Sequence, residues 1–425
     1  MPIPRQKLYS PISDSPPPTR IYPQPAPIID FIWYPTATPR DSSSFCFVSS
    51  VRECPVKLLD ASDGRVREFI CAVHAAAPAF AFLRASYPII DHRERFIAPH
   101  SLAFNLTGQS DIVSAYDTCR LYCGFEDAIE VFNVGQPGEG TRLATTPSKK
   151  SKDGLKGIIS SLAFSPSYES ELFAAGSLTP TNGNIALFNE SQGTTPLMYV
   201  EGGPEIASGV IQLQFNPVQP HMLYASFRRR NEIYSWDLRS TTAIPVQIFD
   251  PELPAVAPVA DTEQGPTETP PVPSDEEAKS QAKILTHQKR RFDVDISGKW
   301  LGIGNQEGVI SIFDTSASDG SYSYDESSES HSMSTSHIPP ALKWVAAKDS
   351  IGSVSFNPLS PLLLAVAGSR HFDNMVIQSG SSDSDETDDT EDEDGDGGGS
   401  RYRYRYRAEK RQPMVRDSSV KLWKF

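Results

Sequence analysis

The chain has 425 residues, 38% of them hydrophobic and 36 of them proline, and a formal net charge of −14. That charge is local: Asp383 to Asp396 holds most of the excess in one acidic run without a basic residue, so the overall balance selects no class of partner. No apolar run reaches the roughly 18 residues of a membrane span and no signal-peptide pattern opens the sequence, so a cytosolic or nuclear chain is expected. Cys46, Cys54, Cys71, Cys119 and Cys123 form no CxxC pair and read as buried thiols in a reducing compartment.

Taken in order, residues 1–27 are a proline-rich lead-in, extended or disordered, with Arg20-Ile21-Tyr22 as a candidate edge strand. From 28 to 425 one pattern recurs six times. The first copy opens with IIDFIWYP at Ile28, continues through Phe45 to Val48 and Pro55 to Asp60, and turns at Asp63-Gly64 into an outer strand expected from Arg65 to Ile70. The second runs from HSLAFNLTG at His100 through LYCGF to AIEVFN, ending at Asn133. The third is the clearest. Ile158 to Phe164 alternates large and small side chains, Leu172 to Ser177 is a short apolar run, Asn182-Gly183-Asn184 turns, Ile185 to Phe188 returns and Leu197 to Val200 follows. The fourth starts GVIQLQFNP at Gly209 and ends IYSWDLRS. The fifth runs from RFDVDISG at Arg291 to VISIFD at Asp314. The sixth opens IGSVSFNP at Ile351 and reaches its third strand, VKLWKF, only at Val420.

Four short strands that are apolar on both faces must be stacked between copies of themselves, because one face would otherwise stay wet. The third strands end in Leu59-Asp60, Phe132-Asn133, Phe188-Asn189, Trp236-Asp237, Phe313-Asp314 and Trp423-Lys424. All but the last join an apolar residue to Asp or Asn, the logic of the Trp-Asp dipeptide, literal only at Trp236-Asp237. The expectation is an all-β WD-repeat β-propeller with six visible repeats. Three insertions, about 251–283, 316–340 and 378–411, have too few apolar residues to offset ordering entropy and are expected to be disordered loops. A ring ending on a third strand needs a fourth from elsewhere, and the N-terminal segment around Arg20-Ile21-Tyr22 is the candidate.

No enzyme constellation is present. Gly302, Gly304 and Gly308 are spaced GxGxxxG, but VISIFD follows, which makes them part of a hairpin and not a dinucleotide loop. No metal site, cofactor or small-molecule substrate is expected, and Cys119 and Cys123 read as packing. The informative side chains are basic. Lys149, Lys150, Lys152 and Lys156 lie in the loop before the third repeat, Arg228, Arg229 and Arg230 in a turn of the fourth, and Lys289, Arg290 and Arg291 before the fifth. Arg239, after the Trp-Asp pair, is counted with them. Each cluster alone is ordinary solvated surface; three in consecutive units suggest a face that contacts phosphates. Arg401, Arg403, Arg405 and Arg407 alternate with tyrosines, a layout suited to RNA or equally to pairing with the acidic run. Ser382 and Thr390 have the spacing of acidophilic phosphorylation sites.

The runs WYP from Trp33, SSVRECPVKLLDASDG from Ser49, APHSLAF from Ala98, LYCGFEDAIEVFNV from Leu121, KGIISSLAFSP from Lys156 and SWDLRS from Ser235 resemble the telomerase Cajal body protein family, in a divergent, fungal-type form. The resemblance implies a seven-bladed propeller that binds small nuclear RNAs of the Cajal body class, telomerase RNA included. It also implies ribonucleoprotein proteins as partners and nuclear bodies as the location, with the cytoplasm as a second compartment. A protein–protein adaptor without RNA is the alternative. The family's further repeat before the WYP segment is not seen. Either the ring has six blades or the N-terminus is incomplete, with Lys7-Leu8-Tyr9 as a remnant of a third strand.

Overall fold

The computed structural model describes residues 13–14, 20–73, 79–105, 119–148, 150–151, 153–167, 171–193, 195–202, 206–255, 288–317, 335–369, 371 and 416–424. Among them, six sheets of the repeat type succeed one another around a central channel, and the only helical element is one 3-10 turn, Glu190–Gln192. In each blade the strands are called a to d from the channel outwards.

Blade 1 is built from Ile28–Trp33, Cys46–Val51, Val56–Asp60 and Ser86–Tyr87. Blade 2 uses Ser101–Asn105, Arg120–Phe125, Ala128–Asn133 and Thr141–Ala144. Blade 3 uses Ile159–Phe164, Leu172–Ser177, Ile185–Asn189 and Met198–Val200. Blade 4 uses Val210–Phe215, Met222–Phe227, Ile233–Asp237 and Gln247–Phe249. Blade 5 uses Asp293–Val294, Trp300–Gly304, Val309–Asp314 and Leu342–Val345. Blade 6 uses Ile351–Phe356, Leu362–Ala367 and Val420–Lys424.

Three expectations are corrected. The outer strand of blade 6 is Ser13–Asp14, paired antiparallel with Leu422 and Lys421, and not Arg20-Ile21-Tyr22. Those residues instead strap blade 1: Arg20 Nη1 and Tyr22 Oη both donate to the Ala61 carbonyl, at 2.8 and 2.6 Å. The outer edge of blade 1 is shared: Val66 bridges Leu59 antiparallel, as expected for the start of the Arg65 to Ile70 strand, and Ser86–Tyr87 completes the edge along Val56 and Lys57, while Glu68–Val73 turns away to pair with Ala79–Arg84 in a separate hairpin. Tyr87 is a large buried anchor of that edge. Its ring packs on Phe132 and its hydroxyl donates to the Val134 carbonyl at 2.7 Å, tying blade 1 to blade 2. Third, Ser336–Ile338, inside the expected disordered loop 316–340, adds to blade 4 as a fifth, parallel strand. Residues 318–334 of that insertion, most of 251–283, all of 378–411 and Lys7 to Tyr9 lie outside the described residues.

Five apolar clusters hold the blades together, one between each successive pair from 1–2 to 5–6. Trp236, wholly buried, sits in the cluster between blades 3 and 4, and Trp344 meets Trp423 edge to face between blades 5 and 6. Among the described residues no such cluster joins blade 6 to blade 1. Phe31 is 53% and Trp33 48% exposed on the side of blade 1 that lacks a neighbouring cluster, and Leu364 and Val366 are each 40% exposed on blade 6. The ring is drawn together there by polar links: the Ser13–Asp14 strand, the Arg20 and Tyr22 strap, and an ion pair between Arg291 and Asp30.

Candidate nucleic-acid interface

In antiparallel blades the b–c turns and the connections from d to the next a emerge at one rim, and the a–b and c–d turns at the other. The loop holding Lys149 to Lys156 is a d–a connection, Arg228 to Arg230 form a b–c turn, and Lys289 to Arg291 end the next d–a connection. The three clusters therefore share one rim. Arg239 lies in a c–d turn on the opposite rim, where its guanidinium grips the Trp-Asp carboxylate of Asp237 with two bonds of 3.0 and 2.8 Å. Its placement is that of a turn-closing residue.

The shared rim does not present its cations equally. Lys150 is exposed, whereas Lys149 and Lys152 lie outside the described residues. Lys156 is half-buried; its carbonyl accepts from the hydroxyls of Ser177 and Thr179, and the next amide, Gly157, donates to Asp127 Oδ1 at 2.7 Å, which pins the loop to the b–c turn of blade 2. Arg228 and Arg229 are exposed, and Arg229 holds the turn with φ of 60°.

The third cluster divides. Arg290 is turned inward, 7% exposed, and donates from Nη2 to the Arg230 carbonyl at 2.9 Å and to Asn231 Oδ1 at 2.7 Å. Burial lowers its pKa, with Glu232 opposing. It locks the b–c turn of blade 4 to the connection into blade 5. Arg291 lies along the inner strand of blade 6, its amide donating to the Gly352 carbonyl at 2.9 Å, while its side chain pairs with Asp30. Only Lys289 of this trio lines the channel. Arg401, Arg403, Arg405, Arg407, Ser382 and Thr390 lie outside the described residues, in the b–c connection of blade 6. That connection leaves the described strand at Gly368 and returns at Arg416, on the same rim.

At the channel mouth the structure assembles what the sequence did not single out. A cavity of about 200 Å³ is lined by Ile29, His100, Ser160, Val210, Arg228 and Lys289 among others, contributed by five blades or their connections. Burial lowers the His100 pKa, with Lys289 and Arg52 adding to the effect against Asp30. Burial likewise lowers the Lys289 pKa, opposed by Asp30 and reinforced by Arg291. Lys289 keeps solvent-accessible area along the channel while protein surrounds its other sides. The sequence signal for His100 was its place at the head of HSLAF, the start of a repeat.

Two other clusters have structural explanations. Asp349 Oδ1 lies 2.8 Å from Ser369 Oγ and 2.9 Å from His371 Nε2, and Ser369 Oγ lies 2.9 Å from that same nitrogen. A catalytic relay needs the acid and the hydroxyl on different ring nitrogens. Here one nitrogen meets both, and the cluster ties the d–a connection of blade 6 to its b–c connection. Gly304 faces the inner strand of blade 6, where an added Cβ would collide with Ile351, so the GxG spacing serves blade packing. Among the described residues no group of three His, Cys, Asp or Glu side chains is placed to hold a metal ion. Burial raises the thiol pKa of Cys46 to about 11 and of Cys119 to about 12.

Over 345 residues, 81% of the chain, it is 28% identical to telomerase Cajal body protein 1 of Mus musculus. The Drosophila melanogaster telomerase Cajal body protein 1 homolog is similar at 20% identity over 363 residues, 84% of this chain and 49% of that one. The chain spans about half the length of the relatives it matches, 49% of the mouse protein. The guanine nucleotide-binding protein negative regulator 1 of Schizosaccharomyces pombe is 26% identical over 223 residues, 51% of this chain and 47% of that one. Among solved structures, the Myceliophteria_thermophila Cps50 (Swd1) beta-propeller domain covers 68% of this chain and 70% of its own, at 16% identity and a TM-score of 0.40. No family model matches. Relative to the family expectation of seven blades, six are present among the described residues.

Proposed function

We propose that this WD-repeat scaffold is a non-enzymatic RNA-binding protein of the nucleus. It takes small nuclear RNA of the Cajal body type, telomerase RNA being the narrowest form of the reading, and assembles or positions the ribonucleoprotein. The observation that carries the reading is the gathering of Lys150, Lys156, Arg228, Arg229 and Lys289 on one rim from three separate connections. A phosphate backbone laid across such a rim meets cations at several points, which gives affinity without fixing sequence. The similarity to telomerase Cajal body protein 1 supports that class of RNA and a nuclear-body location. Crosslinking the full chain to RNA in nuclear extract, then sequencing, tests it. Small nuclear RNAs should be enriched, and replacing Arg228, Arg229 and Arg230 by Glu should flatten the slope of log affinity against log salt by about 2. Absence of an enriched class sinks the reading.

A protein–protein adaptor is the second reading. It is favoured by the aromatic cleft of about 610 Å³ on blade 1, where Trp33 stacks on Phe45 and Phe31 stands half exposed. On that reading Trp33→Ala abolishes recovery of partner proteins while RNA recovery stays at background.

A further inference from the structure

We propose that the mouth of the central channel is a phosphate-binding site in which Lys289, Arg228 and His100 converge on one anionic group. The proposal deepens the RNA reading and rests on it only for the source of the phosphate, which is either an RNA backbone or a free phosphorylated small molecule.

Three observations carry it. The first is convergence: these side chains come from the connection into blade 5, the b–c turn of blade 4 and the start of blade 2, yet line a single cavity of about 200 Å³. The second is a lack of compensation. Asp30 is the one carboxylate acting on both Lys289 and His100, and it is committed to Arg291 and to the Leu102 amide, 3.2 Å away. Among the described residues, the Lys289 ammonium, the Arg228 guanidinium and the His100 ring make no hydrogen bond or ion pair of their own. Arg52 adds a further positive charge beside His100. Gathering like charges at a half-enclosed mouth costs free energy in the empty protein, and a bound anion recovers it. The third is the next residue along. Arg290 is buried outside the cavity and held by the Arg230 carbonyl and Asn231 Oδ1, which fixes the stretch of chain from which Lys289 projects.

The cavity walls fit a small tetrahedral anion. Ile29, Leu178, Val210 and Ile211 are apolar, and the Ser160 hydroxyl is already donated to the Val210 carbonyl at 2.6 Å. Apolar walls lower the local dielectric, so few cations there bind an anion more strongly than the same cations on open surface. Lys289 supplies a point charge to the lining, and Arg228 a planar guanidinium from the exposed turn.

The test uses the full chain and two probes. Inorganic pyrophosphate, titrated by calorimetry at constant ionic strength, should bind saturably. Lys289→Gln should weaken it at least about tenfold, as expected for losing one charge-assisted contact. Lys289→Arg should retain binding, and Arg65→Gln, on the opposite rim, should leave it unchanged. A short single-stranded RNA, followed by filter binding, should lose about 0.7 from its salt slope in Lys289→Gln. No saturable pyrophosphate binding in the millimolar range, or equal binding by wild type and Lys289→Gln, overturns the site, whether or not RNA binds. Lys289-dependent pyrophosphate binding without RNA binding upholds the site, assigns it to a free phosphorylated molecule and removes the RNA reading.

Discussion

Arg291 and Asp30, 261 residues apart, form an ion pair that links the segment lying along blade 6 to the inner strand of blade 1. Asp30 is 8% exposed at its side chain and Arg291 41%, and the carboxylate also accepts the Leu102 amide of blade 2. Among the described residues the pair stands at the one blade junction without an apolar cluster. Removing Arg291 leaves a nearly buried carboxylate with one amide. Breaking a fully buried pair costs about 3–5 kcal/mol, and the exposure of Arg291 lowers that to about 2. Arg291→Ala should therefore lower the urea midpoint clearly. Arg65→Ala, which removes an arginine side chain that is 86% exposed, should not move it.

A junction held by polar links opens more readily than one held by packed side chains. In native-state hydrogen exchange, amides of Ile28–Trp33 and Ile351–Phe356 should exchange faster than those of Ile159–Phe164 and Val210–Phe215, which have clusters on both sides. Equal protection in all four inner strands would show that the ring is closed as firmly at blades 6 and 1 as elsewhere.

Trp236 is the literal tryptophan of the repeat and is wholly buried, its Nε1 donating to the Glu201 carbonyl at 3.0 Å. Trp236→Ala should destabilise by about 3–5 kcal/mol, from lost burial and the cavity left behind. Trp236→Phe keeps most of the packing but leaves that carbonyl without its donor, so it should recover part of the loss. Urea denaturation of the two variants side by side measures the division.

The Asp349 cluster has a definite acid response. Burial alone would raise the Asp349 pKa, but the Ser369 hydroxyl, His371 and the Ser350 amide outweigh it and hold it at about 2, against an ordinary 3.8. A carboxyl whose pKa is depressed on folding contributes stability that is complete above the unfolded value and lost as pH falls through the folded one. The gap in stability between wild type and Asp349→Asn should hold above pH 3.8 and close as the pH falls towards 2. A gap that stays constant across that window contradicts the assignment.

Arg229 occupies a left-handed backbone position, φ 60°, where glycine or asparagine would be less strained. A strained arginine on an exposed turn is an observation from which a role for its side chain is argued. Arg229→Gly should leave stability equal or raised by up to about 1 kcal/mol, while RNA affinity falls. Thermal melting and filter binding on the same preparation read both effects.

The repeats were legible because each inner and middle strand is a short apolar run closed by a turn, and the turns recur with the third strand ending in Asp or Asn. Edges were not. Ser13–Asp14 has no apolar pattern, since an outer strand of two residues contributes mainly backbone pairing. The expected Arg65 to Ile70 strand leaves the edge of blade 1 after Arg67, and Ser86–Tyr87 completes that edge, anchored by a Tyr87 contact with Phe132 and Val134 that linear spacing does not reveal. The basic clusters were visible as runs, and strand alternation alone places them on one rim. Their inequality was not visible: nothing in Lys289-Arg290-Arg291 says that the middle residue is buried, the last paired and the first left in the channel. His100 and Asp30 are single residues in apolar runs, and only closure of the ring brings them beside Lys289.

The pairing of Ser13 with Leu422 sets an order of events during synthesis. The Ser13–Asp14 strand leaves the ribosome well before its partner and has no sheet to join until Val420–Lys424 follows, an interval of roughly 20 to 80 s at ordinary elongation rates. Through that interval blades 1 to 5 have the sequence they need to stack, while the last sheet lacks its two outer members. Crowded polysomes would then favour exchange of the strand between neighbouring nascent chains, and a dimer linked by swapped Ser13–Asp14 strands is the misassembly to expect when the protein is overproduced.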